Sequence, residues 1–309
     1  MFCSDEAVNY ILNYSKTLID RINVNRNCPK ELKEIQYLIF AGMISYYGFE
    51  EIENIHKAFL KPKFIYTNQP FEEHLKSFNI HDDRLEQLSK VGQVGAFVQC
   101  GVSQDLLGRF YIDRNIYVID DKKEAPDFFL EKVIHEVNHV VNSINNAICI
   151  LNKKKALRTG LYVSCLEDNE CMGNLMEEAF NVLQTAEIME MILEFSQYDI
   201  VDPDIKRALD KIKYAYGKKR NGIGYDYTVD AFRGLYNNLH FKKLVQKQRM
   251  EGIIKPVRLD FDSKVGDGSY RQFCDTLDKI EVCGPIFWER QMHEEKVKTF
   301  IKKYNSSSN

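Results

Sequence analysis

The run His135-Glu136-Val137-Asn138-His139 constrains this chain more than any other feature. It is an HExxH motif inside a stretch, Asp127 to about Ala147, that reads as a helix. On a helix, residues four apart stand one above the other on the same face. His135 and His139 therefore present two imidazoles together, a pair suited to one zinc ion. Glu136 points beside them, where a carboxylate can hold and deprotonate a water. The motif asks for a helix here and for a fold that brings a third ligand to it. With seven histidines in 309 residues, an accidental HExxH is roughly a one-in-a-hundred event, so chance is set aside.

Composition narrows the rest. Hydrophobic residues make up 44% of the chain, enough for a core in one large domain or two smaller ones. The net charge of -3 lacks the basic surplus of nucleic-acid binders, and Lys153-Lys154-Lys155 and Lys218-Lys219-Arg220 read as short solvated faces. Cys3, Cys28, Cys100, Cys149, Cys165, Cys171, Cys274 and Cys283 form no CxxC pair and read as reduced, mostly buried thiols. The first residues show no basic region followed by an apolar run, and no segment reaches 18 consecutive apolar residues. Neither a signal peptide nor a membrane partner is expected. The cytoplasm is the expected compartment, with export by a signal-less route left open.

Apolar periodicity and turn residues predict helices from Ser4 to Ile22, Pro29 to Gly48 and Glu50 to Leu60, a segment in which nothing carries chemistry. Phe64 to Tyr66 reads as a strand, then Glu72 to Phe78 and Asp82 to Val91 as short helices. Strands are expected at Val94 to Cys100, Arg109 to Asp113 and Ile116 to Ile119, with Arg114-Asn115 as a turn between the last two. After the motif helix come a turn and strand over Arg158 to Ser164 and a long helix from Gly173 to Gln197. Pro203 to Tyr216 and Thr228 to Arg249 follow as helices. Glu251 to Gly268 reads as a connection with strand character at Val257 to Phe261, before two last helices and a polar tail from Asn305. The fold class is α+β and predominantly helical. Three segments are expected: an N-terminal helical segment (1–60), a catalytic core with a small mixed sheet (61–200) and a C-terminal helical subdomain (201–309).

A catalytic zinc needs a third protein ligand and one open position. The metzincin pattern fails, because Asn142 and Asn145 stand where it needs Gly and His. The deaminase pattern is absent, and His240 and His293 sit in no motif. On the helix from Gly173, Glu178 shares a stripe with Leu175, Ala179, Val182 and Ala186, where a carboxylate is costly unless paired or metal-bound. Glu177 projects with Asn181 and Gln184, a wetter face. A surface glutamate pair favoured by the helix dipole is the plainer alternative. Glu178 is the expected third ligand and Glu177 the alternative. Cys100, upstream of the motif as in peptide deformylases, is a rival donor without that family's surrounding Glu-Gly-Cys-Leu-Ser pattern.

Glu177-Glu178-Ala179-Phe180-Asn181-Val182 resembles the Asn-Glu-Ala-x-Ser-Asp run of the gluzincins, the zinc peptidases that include thermolysin and anthrax lethal factor. Val182 departs from the aspartate that steadies a histidine ligand there. The chain is also similar to uncharacterised bacterial gluzincin-like proteins, in which a Gly-Leu strand precedes a helix of the form Glu-Gly-x-Thr-x-x-Leu-Thr. Gly160-Leu161 and Glu178 to Thr185 fit that outline, with Ala179 and Asn181 as departures, and the likeness covers residues 109–190 or so. It implies a zincin-like core with Zn2+ on His135, His139 and Glu178. It implies Glu136 as general base in hydrolysis of a peptide or protein substrate. It further implies that the strand Ile116 to Ile119 pairs at a sheet edge with an extended peptide, and that a tyrosine or histidine serves the oxyanion. Tyr162, Tyr225, Tyr227 and His240 are all open for that last role. Asn142 is a candidate to support a ligand. Two other functions stand beside the peptidase: a deformylase-like amide hydrolase, and a non-catalytic helical binding protein on a zincin fold, for which Glu136 has no use.

Overall fold

A computed structural model describes residues 4–23, 30–60, 63–67, 96–104, 110–119, 126–143, 145, 147–151, 153–165, 171–216, 226–253, 255–282 and 287–307. The described elements are mostly helices, joined by a three-stranded and a four-stranded sheet, in keeping with the α+β class. None of the described helices is long and apolar enough to cross a membrane. Contacts divide the chain into two compact units: Met1–Val140 with Ala186–Ile223, and Val141–Thr185 with Gly224–Asn309.

The first unit opens with α1 (Asp5–Asn23), α2 (Lys30–Tyr47) and α3 (Ile52–Leu60), the last preceded by a 3-10 turn over Phe49–Glu51. Ser4 Oγ accepts from the Ala7 amide at 3.4 Å, and Asp5, Glu6 and Arg21 sit at the ends of α1 that suit their charges. From Gln36 to Ile44 every residue of α2 is buried, so this helix has an interior on all sides. Phe40 stacks its edge on Phe59, with ring centroids 5.0 Å apart. Gly42 leaves room for Ile192, because a Cβ there would fall 2.5 Å from Ile192 Cγ1. Gly48 ends α2 at a φ of 94° that suits glycine.

Three strands follow: β1 (Lys63–Thr67), β2 (Ala96–Gln104) and β3 (Phe110–Ile119), in the order β1-β3-β2. β1 runs parallel to β3 and β2 antiparallel to it, so the sheet is mixed, as expected. Two expectations are overturned here. Arg114-Asn115 is no turn; Asn115 pairs with Lys63 on one side and Gln99 on the other, and two ladders override the local turn preference. Ile116 to Ile119 is no edge strand, since β3 is central and Ile116 to Val118 pair with β1 on one side and β2 on the other. The short helices expected at Glu72 to Phe78 and Asp82 to Val91 lie outside the described residues.

The motif helix, α4, runs from Pro126 to Asn142. It stops short of Ala147, because Ala147-Ile148-Cys149-Ile150-Leu151 forms a strand instead. α5 (Asn174–Glu194) crosses the division between the units, and α6 (Pro203–Tyr216) belongs to the first.

In the second unit β4 (Ala147–Leu151), β5 (Lys154–Thr159), β6 (Tyr162–Cys165) and β7 (Cys171–Met172) make an antiparallel meander. Five helices follow: α7 (Asp226–Tyr236), α8 (Leu239–Glu251), α9 (Lys255–Val265), α10 (Ser269–Val282) and α11 (Phe287–Ser306). Thr228 to Arg249 is therefore two helices, split where Asn238 turns extended and its side chain accepts from the Phe241 amide as a cap. Glu251 to Gly268 holds a helix rather than a strand. Val257 and Phe261, four apart, are both fully buried, and Pro256 falls in the first turn where its missing N–H costs nothing. The tail expected from Asn305 stays helical to Ser306. Phe232, Phe241, Phe261, Phe273 and Tyr304 interlock as an aromatic core.

Asp260 ties α8, α9 and α11 together. Its carboxylate lies 3.1 Å from His240 Nε2 and 3.1 Å from Lys264 Nζ, and it accepts from the Tyr304 hydroxyl. Burial alone would raise its pKa, but these three partners outweigh burial and hold the carboxyl below its usual range. A pKa lower in the folded than in the unfolded chain stabilises the fold above the ordinary carboxylate range, and that stabilisation is lost as pH falls through the folded value. Asp260→Asn is thus expected to cost about 1–2 kcal/mol at neutral pH. Urea denaturation at stepped pH should show this gap closing below about pH 4. A gap unchanged into strong acid would contradict the assignment.

Candidate metal centre

α4 owes its position to an apolar stripe of Leu130, Val133, Ile134, Val137, Val140 and Val141, all buried. A second stripe, Glu131, His135, Asn138 and Asn142, is polar and also buried. A third, Lys132, Glu136 and His139, is half-buried. The two histidines thus sit at a border: His135 is 4% exposed, while His139 and the neighbouring Glu136 keep some access to solvent.

The imidazoles stand at right angles (89°), with Nε2 to Nε2 at 3.1 Å. Two nitrogens bound to one zinc at ~2.05 Å, a tetrahedral angle apart, are about 3.3 Å from each other. The pair therefore fits one ion with little movement. Without an ion the same contact is satisfied if one ring donates its N–H to the other. One carboxylate oxygen of Glu178, half-buried on α5, completes a group with the two histidines in which all ligand atoms lie within 4.8 Å of one another. Two imidazoles and one carboxylate are a common zinc donor set.

Glu177, the alternative ligand, is committed elsewhere. It is 3% exposed; Arg249 donates to it through Nε at 3.0 Å and through a second guanidinium nitrogen. The Leu161 amide donates to the same carboxylate at 2.8 Å. Gly160 makes that approach possible: its φ is 60°, and a Cβ there would meet Glu177 Oε2 at 2.5 Å. The face expected to be wet is thus interior. Glu177, Asn181, Gln184 and Thr185 are all buried, because Arg249, itself 1% exposed, supplies the charge and a hydrogen bond to Gln184 while lying over the Phe180 ring. Sequence reasoning missed Arg249. The signal was present in α8, where Phe241, Val245 and Arg249 recur every four residues and put a guanidinium on a buried stripe.

The other candidates fall as follows. Cys100 lies in β2, in register with Arg114. Asn142 is fully buried at the end of α4. Tyr162 is half-buried on β6. Tyr227 is 48% exposed, with the Arg290 guanidinium 3.7 Å from its ring centroid. His240 serves Asp260, and Tyr225 lies outside the described residues. Comparisons with protein-family models, curated proteins and solved structures return no match to this chain.

Removing Arg249 would leave a buried carboxylate without its counter-charge. Arg249→Met is expected to cost about 3–5 kcal/mol. Adding Glu177→Gln should restore most of that, since the amide oxygen still accepts from Leu161. Chemical denaturation of both variants checks this, and a double variant no more stable than the single one would speak against the pairing.

Proposed function

We propose that the chain is a zinc-dependent peptidase with a zincin-like core, zinc being held by His135, His139 and Glu178. The observation that carries this is the imidazole pair of an HExxH helix at 3.1 Å with the Glu178 carboxylate inside the same 4.8 Å group. Zinc bound there supplies a Lewis acid for a carbonyl oxygen and lowers the pKa of a bound water towards ~7. Glu136, one residue past the first ligand and half-exposed, takes a proton on its carboxylate from the attacking water and returns it to the leaving amine nitrogen. His135, buried more deeply than His139, fixes the inner side of the site. The substrate is a peptide or protein. Since β3 is central in its sheet, with Ile116 to Val118 paired on both sides, an extended substrate does not meet it there as an edge strand. Cys149, Cys165 and Cys274 stand as thiols, which suits a reducing compartment, the cytoplasm.

Elemental analysis of the purified chain should find about one zinc per molecule, lost in His139→Ala and in Glu178→Ala. Glu136→Gln should keep the zinc and lower chelator-sensitive cleavage of a peptide library by about 100-fold or more. Zinc retained in Glu178→Ala moves the third ligand elsewhere. Cleavage confined to formyl-methionyl peptides, as deformylation, would replace the peptidase by a narrower amide hydrolase. Absence of zinc after reconstitution would leave a binding protein.

A further inference from the structure

We infer that the consecutive tyrosines at the end of α2, Tyr46 and Tyr47, are positioning residues for the metal centre, an inference that rests on the zinc reading above. The Tyr47 hydroxyl donates to Asn138 Oδ1 at 2.5 Å. Asn138 is fully buried and is the motif residue directly before His139. The hydroxyl therefore holds the same turn of α4 that carries both imidazoles. The Tyr46 hydroxyl donates to Glu187 Oε2 at 2.8 Å. Glu187 lies on α5, about two and a half turns beyond Glu178.

Successive residues of a helix point about 100° apart, so two neighbours can address two different helices. The tyrosine rings meet edge to face, with centroids 4.8 Å apart and planes at 88°, and so restrain each other's rotamers. One turn back on α2, Gly42 admits Ile192 and Ile188 of α5 at close range. α2 thus grips α4 at the motif and α5 behind its glutamate. Among the described residues α2 gives no member to the metal group, yet it holds the helix that carries both imidazoles. Metal affinity depends on ligands being oriented before the ion arrives, and here the hydroxyls act one step removed, by holding the helices that carry the ligands.

The alternative is that these hydroxyls only add stability. Zinc dissociation constants, measured by competition with a chromophoric chelator, separate the two. The proteins are wild type, Tyr47→Phe, Tyr46→Phe, the double variant, and Tyr304→Phe as a control that loses a hydroxyl serving Asp260. Each substitution keeps the ring and so the packing. Tyr47→Phe should weaken zinc binding about 10-fold or more, and the double variant further, at unchanged circular dichroism. Tyr304→Phe should lower the melting temperature and leave zinc affinity within about twofold. Wild-type affinity in both Tyr47→Phe and Tyr46→Phe would overturn the inference while leaving the metal site intact. So would a loss in Tyr304→Phe as large as theirs. A wild type that binds no zinc would instead remove the zinc reading, and this inference with it. Should Tyr47→Phe fail to fold, Tyr46→Phe beside Glu187→Gln decides the question from the α5 side: weaker zinc in both supports it, and wild-type affinity in both overturns it.

Discussion

A carboxylate as deeply buried as Glu177 cannot stay ionised alone, and much around it follows from that. Desolvating one charge costs several kcal/mol, which only a close counter-charge and further hydrogen bonds can offset. Arg249 brings the counter-charge from α8, the Leu161 amide brings a donor from the β5–β6 turn, and Gly160 gives up its side chain so that the turn can come close. One interaction thus joins a helix start, a hairpin turn and a second helix. It also settles which of two adjacent glutamates is spoken for. Glu178, next in sequence and a helical rotation away, is the one whose carboxylate lies with His135 and His139.

α4 and α5 share an unusual property: each buries a polar stripe as well as an apolar one. A helix that merely covers a core has no reason to do so. Polar groups inside a protein fix geometry more sharply than apolar packing, because a hydrogen bond fails over a few tenths of an ångström where a methyl contact yields. Helices that must hold donor atoms at fixed separations benefit from such pinning.

Elements announced by local signals were legible in the sequence, wherever in the chain they fall. The caps and glycines around α1 and α2 and the length of α6 could be read from local signals, as could α4 from its motif. Most of what failed depended on a distant partner. Arg114-Asn115 has turn chemistry, yet β1 and β2 hold it extended. Asn181 and Gln184 look like a solvent face, yet an arginine more than sixty positions away buries them. Val257 to Phe261 is β-rich in composition, but its spacing of four was the stronger signal and outweighed it. The motif histidines were legible because their chemistry is encoded in a spacing of four, whereas Tyr46 and Tyr47 carry no spacing that sets them apart from packing aromatics.

The central place of β3 also bears on the order in which this chain can assemble. β4 to β6 pair through turns of two residues, so their contacts close small loops at little entropic cost. β1 meets β3 only after about fifty intervening positions have been brought round, and parallel pairing offers no hairpin to nucleate it. The meander can therefore form on local contacts, while the mixed sheet waits on the chain around it. In a nascent chain emerging from its N-terminus, α1 and α2 are complete long before β3 has been made, and α2 offers the motif helix a partner already in place.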